Sequence, residues 1–310
     1  MVNPLLSAQN LSRHYGDQIA VKEISFTINK GEVLGFLGPN GAGKTTTMKM
    51  LSGNLSPNQG KIIINGFDLL TEPKKAKKNI GYLPEQPPLY KELTVKEFLN
   101  FCARINLIPS EKQKQAVETV IERFGLSNVT QRLIANLSKG YQQRVGIAQA
   151  IIHTPAVVIL DEPTSGLDPI QIREIRHLIR DIASEHSVIL STHILPEVQM
   201  LCDRVQIINQ GQLMLSDTID GLKQKMQSSS LFIELLSPPE INTLRAIPNI
   251  THVEKLSSNQ FRLHYNPDSD PIDAIVTMSV TQQWNLRQLT PEQHSLEDVF
   301  MKIIQNEQEA

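Results

Sequence analysis

Cysteine is scarce in this sequence, and its scarcity excludes two kinds of protein. Only Cys102 and Cys202 occur among the 310 residues, far apart in the chain. A disulfide-stabilised secreted domain and a cysteine-based metal site both need more cysteines at closer spacing. The cysteine content therefore fits a protein that works in a reducing cytosol.

Long uninterrupted apolar runs are also missing. The most apolar stretch, residues 145–160, contains Gln149, His153 and Pro155. It falls short of the roughly 20 apolar residues that a membrane-spanning helix needs. The first ten residues lack the basic segment and apolar core of a signal peptide. If the function involves a membrane, we expect a partner chain to supply the spans.

Charge of either sign is not in excess, since 30 basic residues face 32 acidic ones and the net charge is −2. This balance gives no electrostatic reason to expect nucleic acid as a partner. A content of 40% hydrophobic and 20% charged residues is ordinary for a globular protein with a sizeable core. The length predicts one large domain and one small one.

Short apolar segments alternate with amphipathic ones from residue 5 to about 220, which predicts a mainly parallel α/β sheet. The predicted strands are residues 19–29, 33–37, 61–64, 156–160, 187–190 and 205–209. A helix is predicted over residues 44–51. A helical insertion is predicted at about residues 90–152, with capping boxes formed by Thr94 with Glu97 and by Ser110 with Gln113.

The composition changes at residues 227–230, where a glutamine and three serines predict a linker. We therefore expect a first domain over residues 1–225 and a small α+β domain over residues 230–310. The predicted elements of the second domain are residues 231–236, 240–247, 251–257, 260–265, 271–282 and 284–289, with a last helix from Ser295. Their β-α-β-β-α-β order matches the ferredoxin-like arrangement.

A glycine-rich segment after the second predicted strand fits the phosphate-loop pattern. It reads Gly38-Pro39-Asn40-Gly41-Ala42-Gly43-Lys44-Thr45, followed by Thr46. The glycines let backbone N–H groups point at phosphate oxygens, and the following helix adds its positive end. We expect Lys44 to reach the β- and γ-phosphates and Thr45 to place its hydroxyl on Mg²⁺. The pattern thus predicts an ATP site that includes Thr46.

Two carboxylates, Asp161 and Glu162, directly follow the apolar strand at residues 156–160. The carboxyl edge of a parallel sheet is where ligands of such folds bind. We expect Asp161 to hold Mg²⁺ and Glu162 to polarise a water for attack on the γ-phosphate. The alternative is that these carboxylates are solvated charges that only end the strand. The phosphate loop in the same sequence favours the catalytic role.

A third segment, Leu137-Ser138-Lys139-Gly140-Tyr141-Gln142-Gln143-Arg144, precedes these carboxylates. With the phosphate loop and the carboxylates, it makes residues 5–220 resemble the ATP-binding cassette (ABC) ATPases, a phosphate-loop α/β family. The resemblance implies that Ser138 and Gly140 face the γ-phosphate of an ATP held by a second subunit. The sequence departs from the commonest family form by Lys139 in place of glycine and Tyr141 in place of glutamine.

Four further residues are similar to functional positions of this family. Tyr15 corresponds to the aromatic residue that stacks on adenine, with plain packing as its alternative role. Gln86 corresponds to a glutamine that touches Mg²⁺ or water, or is an ordinary loop residue. Asp168 corresponds to a loop residue at the dimer interface, and it also suits a helix cap. His193 corresponds to a histidine that positions water beside Glu162.

The resemblance implies ATP and Mg²⁺ as cofactors, a second copy of the chain as partner and a separate transmembrane permease. Residues 295–300 and 81–93 are similar to bacterial exporter ATPases linked to drug export or gliding motility. A peripheral position on the cytoplasmic side of the bacterial inner membrane follows from this. Alternatives are a soluble cassette protein acting on ribosomes or DNA, a kinase that shares the phosphate loop, and a regulatory cassette without hydrolysis.

Overall fold

The computed structural model describes residues 4–266 and 270–293 of the chain. The chain divides into two compact units, Met1–Ile219 and Asp220–Ala310. The sequence-based boundary, at residues 225–230, lies a few residues further along. Within the described ranges, every helix is too short or too polar to cross a lipid bilayer.

The first unit contains two sheets and seven α-helices among its described residues. Its strands are β1 Leu6–Tyr15, β2 Gln18–Ile28, β3 Val33–Leu37, β4 Gln59–Ile64, β5 Phe67–Asp68, β6 Ile80–Leu83, β7 Val157–Asp161, β8 Ser187–Thr192, β9 Arg204–Asn209 and β10 Gln212–Thr218. Its α-helices are α1 Lys44–Leu51, α2 Pro73–Lys77, α3 Val95–Ile105, α4 Ser110–Arg123, α5 Lys139–Ile151, α6 Pro169–Ala183 and α7 Leu195–Leu201. Short 3-10 turns occur at Ser127–Val129 and Ile134–Asn136.

The six-stranded sheet has the order β10-β9-β3-β8-β7-β6, with parallel pairing from β9 through β6 and an antiparallel edge strand β10. The parallel α/β prediction is confirmed, and every predicted strand is present with small shifts at its ends. β3, β7 and β8 are buried along their whole length. Because they are parallel neighbours, their carboxyl ends meet at one edge, which brings together Leu37, Asp161 and Thr192.

The second sheet, of order β2-β1-β4-β5, is antiparallel. It packs with α1 on one face of the parallel sheet and forms a continuous hydrophobic core. Phe26 on β2 and Phe36 on β3 meet edge to face, with ring centroids 4.9 Å apart. Met48 on α1 is fully buried in the same core. This packing fixes the start of α1 against the carboxyl end of β3.

The helices between β6 and β7 begin at residues that differ in part from the predicted ones. The Thr94 capping box is confirmed: Thr94 accepts a hydrogen bond from the Glu97 N–H, and the Glu97 carboxylate accepts one from the Thr94 N–H. The Ser110 box is wrong. Pro109 takes the cap position, because its carbonyl already accepts from the backbone N–H of Lys112 and Gln113, so Ser110 is the first helical residue.

The second unit has the ferredoxin-like order that the sequence predicts. Its strands are β11 Gln227–Leu235, β12 Ile250–Lys255, β13 Gln260–Tyr265 and β14 Leu286–Gln293, and its helices are α9 Ile241–Arg245 and α10 Ile272–Thr281, preceded by α8 Ile219–Met226 at the boundary. The strands form one antiparallel sheet of order β12-β13-β11-β14. Its core includes Leu231, Phe261 and Trp284. The helix predicted from Ser295 lies outside the described residues.

The linker prediction at residues 227–230 is wrong, because this segment begins strand β11. Ser230 is 2% exposed, and it pairs with His264 on β13 and Glu292 on β14. A run of serines suggests a flexible chain by composition alone. Pairing with two distant strands overrides that preference.

Candidate functional site

The phosphate loop connects the carboxyl end of β3 to α1, where the sequence places it. Gly43 has a φ of +104°, and a Cβ atom there would lie 2.6 Å from the Ala20 carbonyl oxygen, so only glycine fits. The side chain of Lys44 is buried and folds back over the loop. Its Nζ donates to the carbonyl oxygens of Gly38 at 2.8 Å and Pro39 at 3.2 Å. The loop therefore holds a desolvated cation at the sheet edge.

Asp161, the last residue of β7, is fully buried. Its Oδ1 accepts hydrogen bonds from the hydroxyls of Thr45, at 3.4 Å, and Ser191. Burial raises the pKa of Asp161, with smaller contributions from Glu162 and Glu85, while the two hydroxyls act in the opposite direction. Its Oδ2 is buried and has no hydrogen-bond partner among the described residues. A free carboxylate oxygen beside a threonine hydroxyl is a donor set that suits Mg²⁺.

Glu162 lies at a sharp turn directly after β7. Its φ of +48° is unusual for a residue with a side chain, and its N–H is held by the Ser191 carbonyl oxygen at 3.1 Å and by the Ser191 hydroxyl at 3.0 Å. Its carboxylate lies 3.4 Å from Lys44 Nζ and 2.9 Å from His193 Nδ1. The turn thus places one carboxylate between a cation and an imidazole.

A cleft of about 770 Å³ opens beside these groups. Its lining residues are Tyr15, Gln18, Ile19, Ala20, Asn40, Gly41, Gly43, Lys44, Thr45, Thr46, Glu85, Glu162, Ser165, His193 and Gln210. Most residues predicted from the phosphate loop and the carboxylate segment therefore meet in one cleft, with Asp161 hydrogen-bonded to Thr45 at its wall. Tyr15 lies at the rim, 47% exposed, with the Arg13 guanidinium 5.0 Å from its ring centroid.

Four residues predicted outside the phosphate loop and the carboxylate segment do not line this cleft. Gln86 is exposed, and its neighbour Glu85 takes the lining position. Ser138 caps the amino end of α5, where its hydroxyl accepts from the Tyr141 N–H at 3.4 Å; Gly140 follows in the first turn. Asp168 caps α6 by accepting from two backbone N–H groups, which confirms the cap role.

Lys139, where the sequence departs from the common family form, reaches the loop before α6. A Cβ atom on Gly166 would lie 2.1 Å from Lys139 Nζ, and Gly166 has a φ of +67°. The ammonium group therefore covers the backbone of Gly166, and no larger residue fits there without moving Lys139. Lys139, at the start of α5, therefore contacts the loop between Glu162 and Asp168.

Sequence reasoning missed Ser191 and Thr192 at the carboxyl end of β8. Ser191 holds both Asp161 and Glu162, while the Thr192 hydroxyl donates to the buried Glu197 carboxylate at 2.9 Å. Small hydroxyl residues next to a histidine carry no distinctive pattern. The one available signal was their place directly after the apolar strand predicted at residues 187–190.

Comparison with known proteins agrees with this geometry. Residues 21–165 match the family described as ABC transporter, and residues 218–304 match the ATP-binding protein DrrA1-3-like, C-terminal domain. The chain is 34% identical to the bacitracin transport ATP-binding protein BcrA of Bacillus licheniformis, covering 98% of each chain. It is 33% identical to the linearmycin resistance ATP-binding protein LnrL of Bacillus subtilis, covering 96% of this chain and 98% of that one.

Among solved structures, the chain is similar to one titled as the ATP-binding subunit of an ABC transporter. The TM-score is 0.65 and the identity 32%, with coverage of 71% of this chain and 92% of the other. The resemblance inferred from the phosphate loop, the carboxylates and the Ser138 segment is therefore confirmed. The chain belongs to the ATP-binding proteins of ABC transporters, and it is an ATPase of that family.

Proposed function

We propose that two copies of this chain bind ATP between them and, by closing and opening, drive a separate membrane permease. Each ATP lies between Lys44 and Thr45 of one copy and Ser138 and Gly140 of the other. The observation that carries this proposal is that the two groups of ATP-binding residues do not meet within one chain. The phosphate loop lines the cleft with Glu162 and His193, whereas Ser138 and Gly140 do not line it.

Glu162 is the general base for hydrolysis in this proposal. Its carboxylate accepts a proton from the attacking water as the water oxygen bonds to the γ-phosphorus and the bond to ADP breaks. His193 Nδ1, 2.9 Å from the carboxylate, keeps that group oriented and lies where it can contact the γ-phosphate. Lys44 offsets the negative charge that develops on the phosphate oxygens. Tyr15 stacks on the adenine at the rim of the cleft.

Mg²⁺ fits the free Oδ2 of Asp161 and the adjacent Thr45 hydroxyl. When bound there, the ion would neutralise negative charge on the phosphate groups. Gln86, which the family resemblance associates with this ion, is exposed on the loop after β6 and does not line the cleft. ATP binding closes the pair through Asp168 and Ser138, and hydrolysis removes the phosphate that holds it closed.

The permease binds the helical insertion, which exposes apolar side chains. Phe101 and Ile105 on α3 are 37% and 59% exposed, Leu107 is 75% exposed, and Tyr90 stacks edge to face on Phe101. Such a cluster is typical of an interaction surface. We place the protein on the cytoplasmic side of the bacterial inner membrane as part of an exporter, since the relatives are named for bacitracin transport and linearmycin resistance.

A pull-down from native membranes tests this function. Tagged Glu162→Gln protein, held closed by ATP, is recovered in mild detergent and its companions are identified by mass spectrometry. Lys44→Ala protein, which lacks the phosphate-binding cation, is the matched control. A stoichiometric multispanning chain that depends on ATP supports the proposal. Recovery with ribosomes, with DNA or with no companion overturns the transport function and leaves the ATPase.

A further inference from the structure

His193 lies between two residues, Thr192 and Ile194, that are hydrogen-bonded to each other through the Thr192 hydroxyl. The Oγ1 of Thr192, the last residue of β8, accepts a hydrogen bond from the Ile194 N–H at 3.0 Å. The same hydroxyl donates to Glu197 Oε2 at 2.9 Å. The residues before and after the imidazole are thus connected to each other and to α7. The direction of the His193 side chain depends on this connection.

The carboxylate at the other end of this connection is entirely buried. Glu197 is 0% exposed, and its second oxygen, Oε1, lies 3.3 Å from a guanidinium nitrogen of Arg176 on α6. A buried carboxylate is costly unless it is paired and hydrogen-bonded. A residue that only capped α7 could do so from the surface without that cost. The burial instead lets Glu197 accept from Thr192 and Arg176 at once.

We propose that Glu197 and Thr192 are positioning residues for ATP hydrolysis, which hold His193 against Glu162. Arg176 fixes Glu197, Glu197 orients the Thr192 hydroxyl, and that hydroxyl sets the backbone of residues 192–194. His193 Nδ1 then meets Glu162 Oε2 at 2.9 Å. The inference rests on the proposed role of His193 and adds to it a connection from α6 and α7 into the cleft.

The first test compares two substitutions at Thr192. Thr192→Val keeps the shape of the side chain but removes the hydroxyl, whereas Thr192→Ser keeps the hydroxyl. We expect Thr192→Val to lower kcat by roughly 10- to 100-fold, because small misplacements of catalytic groups have effects of this size. KM for ATP should stay near the wild-type value, since the phosphate loop is untouched. Thr192→Ser should recover most of the lost turnover.

The second test asks whether Glu197 acts through His193. Glu197→Gln keeps the volume but weakens both contacts, so kcat should fall with little change in KM. Combined with His193→Ala, it should cause no further loss in single-turnover hydrolysis, because the two changes remove the same interaction. If the double variant instead hydrolyses ATP more slowly than His193→Ala by the same factor that Glu197→Gln causes alone, Glu197 acts independently of His193. That result overturns the inference.

The remaining outcomes separate this inference from the proposed function. If His193→Ala hydrolyses ATP at the wild-type rate, the role of His193 fails and the inference fails with it. If His193→Ala is inactive while Thr192→Val and Thr192→Ser turn over equally well, the positioning inference alone is overturned. Should Glu197→Gln not fold, the Thr192 pair still decides. Thermal unfolding of each variant identifies a loss of turnover caused by instability.

Discussion

His193 Nδ1 lies 2.9 Å from Glu162 Oε2, and the other oxygen of this carboxylate lies 3.4 Å from Lys44 Nζ. An ionised carboxylate can only accept hydrogen bonds, so Nδ1 carries the ring proton while Glu162 is ionised. The exposed side chain of His193 and the buried one of Glu162 form a unit in which each restricts the other.

Glu162→Gln should bind ATP but lose turnover. The amide keeps the size of the side chain, yet it cannot accept a proton from water at neutral pH. We expect kcat to fall by about 100-fold or more, and ATP to hold the protein as a dimer. Phosphate release and size-exclusion chromatography with and without ATP measure the two effects. Hydrolysis close to the wild-type rate would show that another group is the base.

Ser191→Ala should impair hydrolysis more than it impairs folding. The hydroxyl donates to the Asp161 carboxylate and accepts from the Glu162 N–H, so its loss frees that carboxylate and removes one of the two hydrogen bonds that hold the Glu162 backbone. We expect kcat to fall by roughly 10- to 100-fold and stability to fall by about 1–2 kcal/mol. Steady-state kinetics and chemical denaturation measure these changes.

Ser187→Ala is the matched control for this prediction. Ser187 begins the same strand and also accepts and donates one hydrogen bond, with Gly31 and Asn29 at the opposite edge of the sheet. It should have a similar cost in stability and leave kcat unchanged. Equal losses of kcat in both variants would trace the effect to the strand and not to the carboxylates.

Ile105→Asp should weaken binding to the proposed permease. A charge in the exposed apolar cluster with Phe101 and Leu107 makes burial of this surface unfavourable. In the pull-down with Glu162→Gln protein, we expect recovery of the membrane chain to fall, while the ATPase activity of otherwise wild-type Ile105→Asp protein is unchanged in solution. Val280→Asp, at a 74% exposed position on α10, is the control. Undiminished recovery with Ile105→Asp would exclude this cluster as the contact.

Glu292→Gln should make the second unit less stable at neutral pH but not in acid. Arg262 Nε donates to Glu292 Oε2 at 2.6 Å and Ser230 donates at 2.9 Å. The hydrogen bond from Arg262 is the main cause that lowers the pKa of Glu292. Because the folded pKa lies below the unfolded one, the contribution to stability is present above the ordinary glutamic acid pKa, about 4.3. It is lost as the pH falls through the folded value.

Trp284 gives a direct measurement of this effect. It is the single tryptophan of the sequence, and it lies 3% exposed in the core of the second unit. Its fluorescence in denaturant series at several pH values should show a difference between Glu292→Gln and wild type that vanishes in acid. Glu254→Gln, which removes the more exposed partner of Arg262, should have a smaller effect. A pH-independent difference would contradict the pKa shift.

The residues that could be predicted from the sequence are those whose chemistry is contiguous in the chain. Lys44 and Thr45 belong to one loop, and Asp161 and Glu162 to one strand end, so local spacing carries the information. Ser191 acts on residues about thirty positions earlier. Its role exists only once β7 and β8 are neighbours. No local pattern encodes that contact.

The wrong predictions have a similar cause. Ser110 with Gln113 fits a capping box, but the carbonyl of Pro109 starts the helix one residue earlier. Residues 227–230 look like a linker until β13 and β14 pair with them. In both cases a local preference was outweighed by a neighbour, in sequence or in space. Positions held by a single strong local signal, such as Thr94, were predicted correctly.

The end of β8 assigns three consecutive residues to three different tasks. Ser191 binds the Asp161 carboxylate and the Glu162 N–H, Thr192 binds Glu197 and the Ile194 N–H, and His193 contacts the Glu162 carboxylate. Successive side chains of a strand point to opposite faces, and parallel pairing with β3 and β7 fixes the register on both sides. A deletion or insertion of one residue in β8 would therefore misdirect all three groups together. Single side chains at the end of β8 can be exchanged without changing its register, but the length of the strand cannot change.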